Sequence, residues 1–311
     1  MDLLTGILST ALLAGGVLAL AALGEVLAER VGVVNLGVEG LMSLGALAGV
    51  ATVATVPSPT LGLVAALAVG FAFGCVFAAA TVLLRANQVL CGLALTLLGS
   101  GLAATLGRSF AGAPAAAVFP RVTVPVLSDI PVLGPALFSQ NVLLYAIYIV
   151  LPVGLHLLLF RTRHGLNLRA VGENPAAADA AGIPVAAIRF WYVALGSSLA
   201  GAAGGYLTLA FVPSWSEGVV AGRGWIAVAL VIFAGFRPLT AVAAALFFGV
   251  ITALGFVGQA RGWPVAPALL SMLPYLGTVA FIILPVVAWR RLRGWFAAPA
   301  ALGLPYHRDV R

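Results

Sequence analysis

The sequence predicts an all-α polytopic membrane protein with about nine (eight to ten) transmembrane helices, and three observations carry that prediction. Of the 311 residues, 62% are hydrophobic and 8% are charged, whereas soluble domains carry about 25% charged residues. The apolar residues fall into runs near the roughly 20-residue length that a helix needs to cross a bilayer. The sixteen basic residues are all arginine and stand at the ends of those runs, as a topology signal does and a nucleic-acid-binding patch does not. A bundle of this kind is expected to form one transmembrane domain over residues 1–311.

In order, the runs lie at about 5–24, 36–56, 60–84, 88–107, 141–160, 187–212, 240–257 and 267–289. The first follows MDLLTGILST, which lacks the positive n-region of a cleaved signal peptide, so a retained helix is expected. A ninth stretch, about 224–236, sits between Arg223 and Arg237 and is too short for a straight crossing. Tilted, broken or re-entrant geometry is expected there. The 108–140 connection holds Pro114, Pro120, Pro125, Pro131 and Pro135 and is either an ordered cap or a flexible link. Small residues recur every four positions at Gly45/Gly49, Gly70/Gly74 and Ser197/Gly201/Gly205, the spacing of closely packed helices in lipid.

Arginine sets the orientation. The 161–189 loop (Arg161, Arg163, Arg169, Arg189) and the tail at about 290–311 (Arg290, Arg291, Arg293, Arg308, Arg311) hold nine of the sixteen, which places both in the cytoplasm. Counting spans from there puts Arg85 and Arg237 on the same side, the N-terminus outside and the C-terminus in the cytoplasm. The inner loop around Glu25, Glu29 and Arg30 is net acidic and fits the rule less well. Trp191, Trp215, Trp225, Trp263, Trp289 and Trp295 all fall at or just beyond predicted span ends, as in an aromatic belt.

Several chemistries are excluded. With no lysine, the chain supplies neither the phosphate-binding lysine of a Walker A loop nor a Schiff base. Cys75 and Cys91 lie in apolar runs without disulfide or metal spacing and read as packing residues. His156, His164 and His307 are scattered, and no two acids share a membrane face, so neither a catalytic nor a metal site is predicted. Glu39 is the one carboxylate inside a predicted span, too little for a proton relay. Energy for transport must therefore come from another polypeptide.

Two polar rows interrupt the apolar spans. Asn35, Glu39 and Ser43 recur every four residues and are expected to share a helix face. They either bond a neighbouring helix end or line the translocation pathway. Gln88, Gly92, Thr96 and Ser100 form a second row, suited to a neutral polar solute or to ordinary interhelical hydrogen bonds.

The 161–189 loop carries a short helix signature. Asn174 is a helix cap, Pro175 suits the first helical position, Ala176 to Ala181 favour helix, and Gly182 followed by Pro184 stops it. About two turns do not persist alone in water, where roughly 12–15 residues are marginal. Such a helix must be held by something.

Together ERVGVVNLGVEGLM (Glu29–Met42), NQVLCGLALTLLGSGL (Asn87–Leu102), GLNLRAVGENPAAADAAGI (Gly165–Ile183), GRGWIAVALVIFAGFRP (Gly222–Pro238) and LFFG (Leu246–Gly249) resemble the permease subunits of bacterial ABC importers for simple sugars and nucleosides, relatives of branched-chain amino acid permeases. The resemblance implies a permease-like bundle in the bacterial inner membrane. Its implied partners are a separate ABC ATPase that binds the ATP, a second homologous permease in a heterodimer, and an extracytoplasmic solute-binding protein. The chain itself needs no cofactor. Within this resemblance Glu173, Asn174, Pro175, Ala178, Asp179 and Gly182 correspond to a cytoplasmic coupling helix that docks on the ATPase. Asn35, Glu39 and Ser43 correspond to a motif along the central helices, and with Gln88, Thr96 and Ser100 they are the candidate pathway residues. Arg161, Arg163 and Arg169 are candidate lipid-headgroup anchors. The expected solute is a nucleoside. Simple sugars, branched-chain amino acids and a self-contained secondary transporter are the alternatives.

Overall fold

The apolar runs fold as helices that bury polar backbone within each segment, as a bilayer demands. The computed structural model describes residues 2–288 and 297–307. It contains α1 (Asp2–Arg30), α2 (Val38–Thr55), α3 (Pro59–Ala78), α4 (Gln88–Leu106), α5 (Leu133–Phe138), α6 (Val142–Tyr145) and α7 (Leu151–Arg161). There follow α8 (Arg163–Glu173), α9 (Pro175–Ala180), α10 (Val185–Tyr206), α11 (Arg223–Phe233), α12 (Pro238–Ala260) and α13 (Pro267–Ala288). Wider π-helical turns continue α3 to Leu83, join α6 to α7 and carry α10 to Phe211. Seven of the resulting rods are long and apolar enough to cross a membrane, whereas α11 and the Pro267–Ala280 part of α13 are apolar but shorter.

The small-residue rows mark where backbones touch. α10 packs between α2 and α3, and α1 between α10 and α12. A Cβ at Gly45 would collide with the Gly201 carbonyl oxygen, and one at Gly70 would sit 2.6 Å from the Ser197 carbonyl oxygen. Close approach replaces the hydrophobic drive that lipid does not supply. By contrast, α4 leaves Leu90 and Leu97 exposed.

The proline-rich 108–140 connection is an ordered cap. β1 (Arg121–Thr123) pairs antiparallel with β2 (Ser139–Asn141), and Val122 stands opposite Gln140. The Phe119 N–H donates to the Leu209 carbonyl (3.0 Å), and the Gly112 N–H donates to that of Trp215 (3.1 Å). This last residue departs from the belt expectation, since Trp215 is buried against Gly107. Trp225 stands in the first turn of α11, while Trp289 and Trp295 lie outside the described residues.

Arginines gather at one end of the bundle. Arg30 and Arg169 both stack over the Phe160 ring, at 5.3 and 5.2 Å from its centroid, and Arg85 approaches His307. The described tail is pinned there: Ala301 N–H donates to the Gly172 carbonyl, Gly303 N–H to that of Gly32, and Arg189 to that of Leu304. Arg290, Arg291, Arg293, Arg308 and Arg311 lie outside the described residues.

Candidate functional site

Two stretches carry the polar chemistry, and the first is the corner between α1 and α2. The first apolar run does not stop at residue 24, because α1 continues to Arg30. Glu25 and Glu29 therefore lie in a buried helix and not in an inner loop, each 2% exposed. Glu39 is not the only carboxylate within the bundle. The alternation of acids with apolar residues in ALGEVLAERV kept the helical period intact, a signal that the charges masked. Glu25 accepts the Asn35 N–H (2.9 Å), while Glu29 Oε2 is buried with no hydrogen-bond partner among the described residues.

Asn35 is likewise not on α2. It sits in the turn before that helix, so the four-residue spacing with Glu39 and Ser43 does not form one helix face. Its side chain donates to Ser197 Oγ (3.2 Å) and accepts the Gly37 N–H (2.9 Å). Ser43 bonds back to the Glu39 carbonyl (2.9 Å). The second polar row meets the same corner: Gln88 accepts the Val34 N–H (2.9 Å), and Thr96 donates to the Leu36 carbonyl (2.8 Å). Gly92 lets α4 approach Leu36, while Ser100 is half-buried farther along.

These contacts fix the path of the corner. Gln88 and Thr96 are eight residues apart on α4, about 12 Å at 1.5 Å per residue. The 34–36 segment therefore runs along α4 from its first turn inward, over the roughly 7 Å that two extended residues span, and the Gln88 side chain makes up the rest. α10 runs alongside in the same direction, with the Arg189 guanidinium beside Gly32 and Ser197 beside Asn35. Glu39 follows in the first turn of α2, at the start of its span as expected, and is half-buried against α11.

There it meets α11. Eleven residues make a helix about 16 Å long, half of a hydrocarbon core of about 30 Å. Glu39 Oε1 accepts the Gly222 N–H and Oε2 the Gly224 N–H, both at 2.7 Å. At the other end Arg30 Nε donates to the Phe236 carbonyl (2.6 Å) and Nη2 to that of Gly235 (3.1 Å). An anion thus closes the N-terminus and a cation the C-terminus, each opposite in sign to the helix dipole it meets. Both come from the two flanks of one short corner. Gly222 adopts a left-handed φ of +76°, which glycine accepts without the Cβ penalty. Gly224 has no room for a side chain, because a Cβ there would lie 2.5 Å from the Glu39 nitrogen.

The second stretch is the arginine-rich connection after α7. It holds two helices where the sequence suggested one. α8 buries Leu168 and Val171, and Thr162 caps it through the Gly165 N–H (2.9 Å). α9 follows, with Asn174 accepting the Ala177 N–H (3.0 Å), Pro175 at its first position and Gly182 left-handed at φ +81°. What holds α9 is its inner edge: Ala178 is 3% exposed, and Ile183 packs on the core. Glu173 accepts the tail's Ala300 N–H (3.1 Å). Asp179 borders a cavity of about 460 Å³ together with Arg85, Arg189 and Tyr306. Ala176, Ala177, Ala180 and Ala181 form an exposed face.

The structure thus brings Asn35, Glu39, Gln88 and Thr96 together around one corner, with Ser43 and Ser100 beyond it. Glu173, Asn174, Pro175, Ala178, Asp179 and Gly182 lie in a separate group. Sequence reasoning missed Glu25 and Glu29 as buried groups, the half-buried Arg30 as a partner of α11, and Gly222 and Gly224 as partners of Glu39.

Comparison with known proteins places the chain in a family. The model described as "Branched-chain amino acid transport system / permease component" matches residues 7–284. The "Putative glucose ABC transporter permease protein TsgC13" of Haloferax volcanii is 37% identical over 332 aligned residues, covering 100% of both chains. The guanosine ABC transporter permease protein NupQ of Bacillus subtilis is 33% identical, covering 100% of this chain and 99% of its own. The nucleoside ABC transporter permease protein NupC of Lactococcus lactis is 35% identical, covering 91% of each. No solved structure matches.

Proposed function

Because the chain belongs to the family of permease components of branched-chain amino acid transport systems, as a membrane-embedded transport subunit of an ABC importer and not an enzyme, we propose that the solute it passes is a nucleoside. The observation that carries this reading is the near-full-length similarity to two permeases named for guanosine and nucleosides. The relative named for glucose makes a simple sugar the second reading. Membership implies a partner ATPase that handles the ATP and a solute-binding protein; we extend this to a second, homologous permease in a heterodimer.

In this reading the arginine-rich end faces the cytoplasm, following the positive-inside rule, and the N-terminus lies outside. The exposed alanine face of α9 then docks on the ATPase. Glu173, Asn174, Pro175, Asp179 and Gly182 shape that element, and Ala178 roots it in the bundle. Asn35, Glu39, Ser43, Gln88, Thr96 and Ser100 border the pathway, with Glu39 holding the half-helix terminus that faces it. Broken helices whose N-terminal ends point into the bilayer recur at transporter solute sites. Supporting the docking role, α9 is anchored on one side and free on the other.

Two measurements test the proposal. Proteoliposomes containing the chain, its companion permease, the ATPase and the binding protein should take up labelled guanosine and uridine with ATP, and uptake of glucose alone would overturn the nucleoside reading. A paired Asn174→Ala, Gly182→Val variant should assemble yet lose uptake and solute-stimulated ATPase activity. Wild-type values in that variant would remove α9 from the coupling role. Gradient-driven uptake by the purified chain alone, without ATP, would favour a secondary transporter instead.

A further inference from the structure

Beside the Glu39-held terminus of α11 lies a cavity of about 350 Å³ enclosed by α1, α11, α12 and α13, within the roughly 300–1,000 Å³ of ligand pockets. Its wall mixes aromatic, cationic and amide groups, whereas the cavity lined by Thr5, Ser9, Thr10, Arg121 and Ser139 has no aromatic side chain. The cavity beside α6 and α7, about 390 Å³, is lined by leucine, alanine, valine, isoleucine and glycine, as a groove facing acyl chains is. The cavity at Asp179 belongs to the coupling segment already described. The one beside α11 combines Arg223, Phe256, Gln259, Ser271 and Tyr275 against the apolar floor of Leu18.

Each of these groups has hydrogen-bonding or stacking capacity to spare. Arg223 Nη1 donates to the carbonyls of Val219 (3.0 Å) and Val220 (2.9 Å), which fixes the guanidinium and leaves Nε and Nη2 uncommitted among the described residues. Tyr275 donates its hydroxyl proton to the Ala221 carbonyl, so the phenol oxygen remains an acceptor. Ser271 donates to the Ala268 carbonyl (2.8 Å), and its oxygen too can accept. Gln259 is exposed to the cavity and brings an acceptor and two donors. Phe256 is held by the Phe211 ring, with centroids 6.1 Å apart. Arg223 lies over that same Phe211 at 5.9 Å.

We propose that this cavity is a solute subsite of the permease and that it takes a nucleoside. The heterocycle stacks on the aromatic wall of Phe256 and Tyr275, and the free Arg223 and Gln259 donors meet base carbonyl or ring nitrogen acceptors. Sugar hydroxyls reach Ser271 and the Tyr275 oxygen. Flat aromatic and guanidinium surfaces beside amide groups are how proteins hold unpaired bases. A zwitterionic amino acid fits less well, because Arg223 would pair its carboxylate while no acid among the lining residues meets its ammonium. The subsite adjoins the clamped start of α11: Tyr275 bonds the residue before Gly222, whose N–H is held by Glu39. Solute here contacts the same terminus that the α1–α2 corner grips.

This inference rests on the nucleoside reading above, and the experiment separates the two. In the assembled complex with Cys75 and Cys91 replaced by alanine, Gln259→Cys is alkylated by a small thiol reagent with and without uridine, guanosine, glucose or leucine. Saturating nucleoside should slow labelling at least threefold, with glucose and leucine without effect. Gln259→Leu and Phe256→Leu, which keeps an apolar side chain but removes the ring, should each lower nucleoside uptake at least tenfold, and Phe256→Tyr should retain it. Nucleoside uptake by the wild-type complex without protection at position 259, or unchanged uptake by both leucine variants, would overturn the subsite while leaving the nucleoside reading in place. Glucose uptake without nucleoside uptake would overturn both.

Discussion

Two short helices, α9 and α11, look alike in sequence terms and are held in opposite ways. Neither is long enough to persist alone. α9 carries its own boundaries: Asn174 caps it, Pro175 starts it and Gly182 ends it, all within nine residues. α11 has no side-chain cap of its own, since Gly222 stands at its start. Its caps are Glu39 and Arg30, roughly two hundred positions earlier in the chain. A helix exposed to water can rely on local caps because water satisfies what remains. Deep in a bilayer no such reserve exists, and each orphan N–H or C=O needs a partner from the protein. The contrast teaches that α9 keeps an exposed face beside its own caps, whereas α11 is gripped from within the bundle.

Substitutions at four positions probe that contrast, in falling order of their effect on stability. Glu39→Leu should be the most severe, because it strands two buried N–H groups at about 1–3 kcal/mol each. The melting temperature of the detergent-purified protein should fall and uptake should vanish, while Glu39→Gln, which keeps one acceptor, should fall between. Arg30→Met removes the opposite clamp and should cost about 1.5–3 kcal/mol for its charge-assisted bonds. Combined with Glu39→Leu, its effect on melting should be less than additive, since both act on one helix. Asn174→Ala should cost about 1 kcal/mol or less of stability as a lost cap, yet impair solute-stimulated ATPase activity. Ala177→Glu, on the exposed face of α9, should leave the melting temperature unchanged while ATPase coupling falls. If Asn174→Ala proves as destabilising as Glu39→Leu, the distinction between the two helices collapses.

Close packing offers an independent check on the frame that carries both helices. A valine at Gly45 would drive its Cβ into the Gly201 carbonyl, so Gly45→Val should prevent a monodisperse fold in size-exclusion chromatography. Gly101, whose Cβ position meets nothing within 4 Å, should tolerate alanine without effect.

The short helix α9 was legible because its signals are local. Asn174, Pro175 and Gly182 each act through their own backbone, and no distant residue is needed to read them. The apolar runs were legible for the same reason, since length and hydropathy are properties of a segment. The corner at residues 31–39 was not. Reading Asn35, Glu39 and Ser43 as one helical face assumed that the four-residue period continues through VVNLGVEG, whereas Gly32 turns the chain and Asn35 caps the next turn through the Gly37 N–H. Reading Glu25 and Glu29 as loop residues assumed that charge ends a span; here Asn35 supplies a partner for Glu25.

By itself, then, the sequence determined the membrane class, the approximate spans, the arginine-rich end, the small-residue contact rows and the self-capped α9. All of these follow from residue type and spacing along one segment. Tertiary structure decided that the α1–α2 connection runs along α4 from its first turn inward. It also decided that 223–233 is a half-length helix, and that Glu39 and Arg30 close its two ends. Those outcomes depend on which distant groups meet in a medium without water, where an unpaired polar group costs several kcal/mol. No pattern within a single segment encodes that meeting.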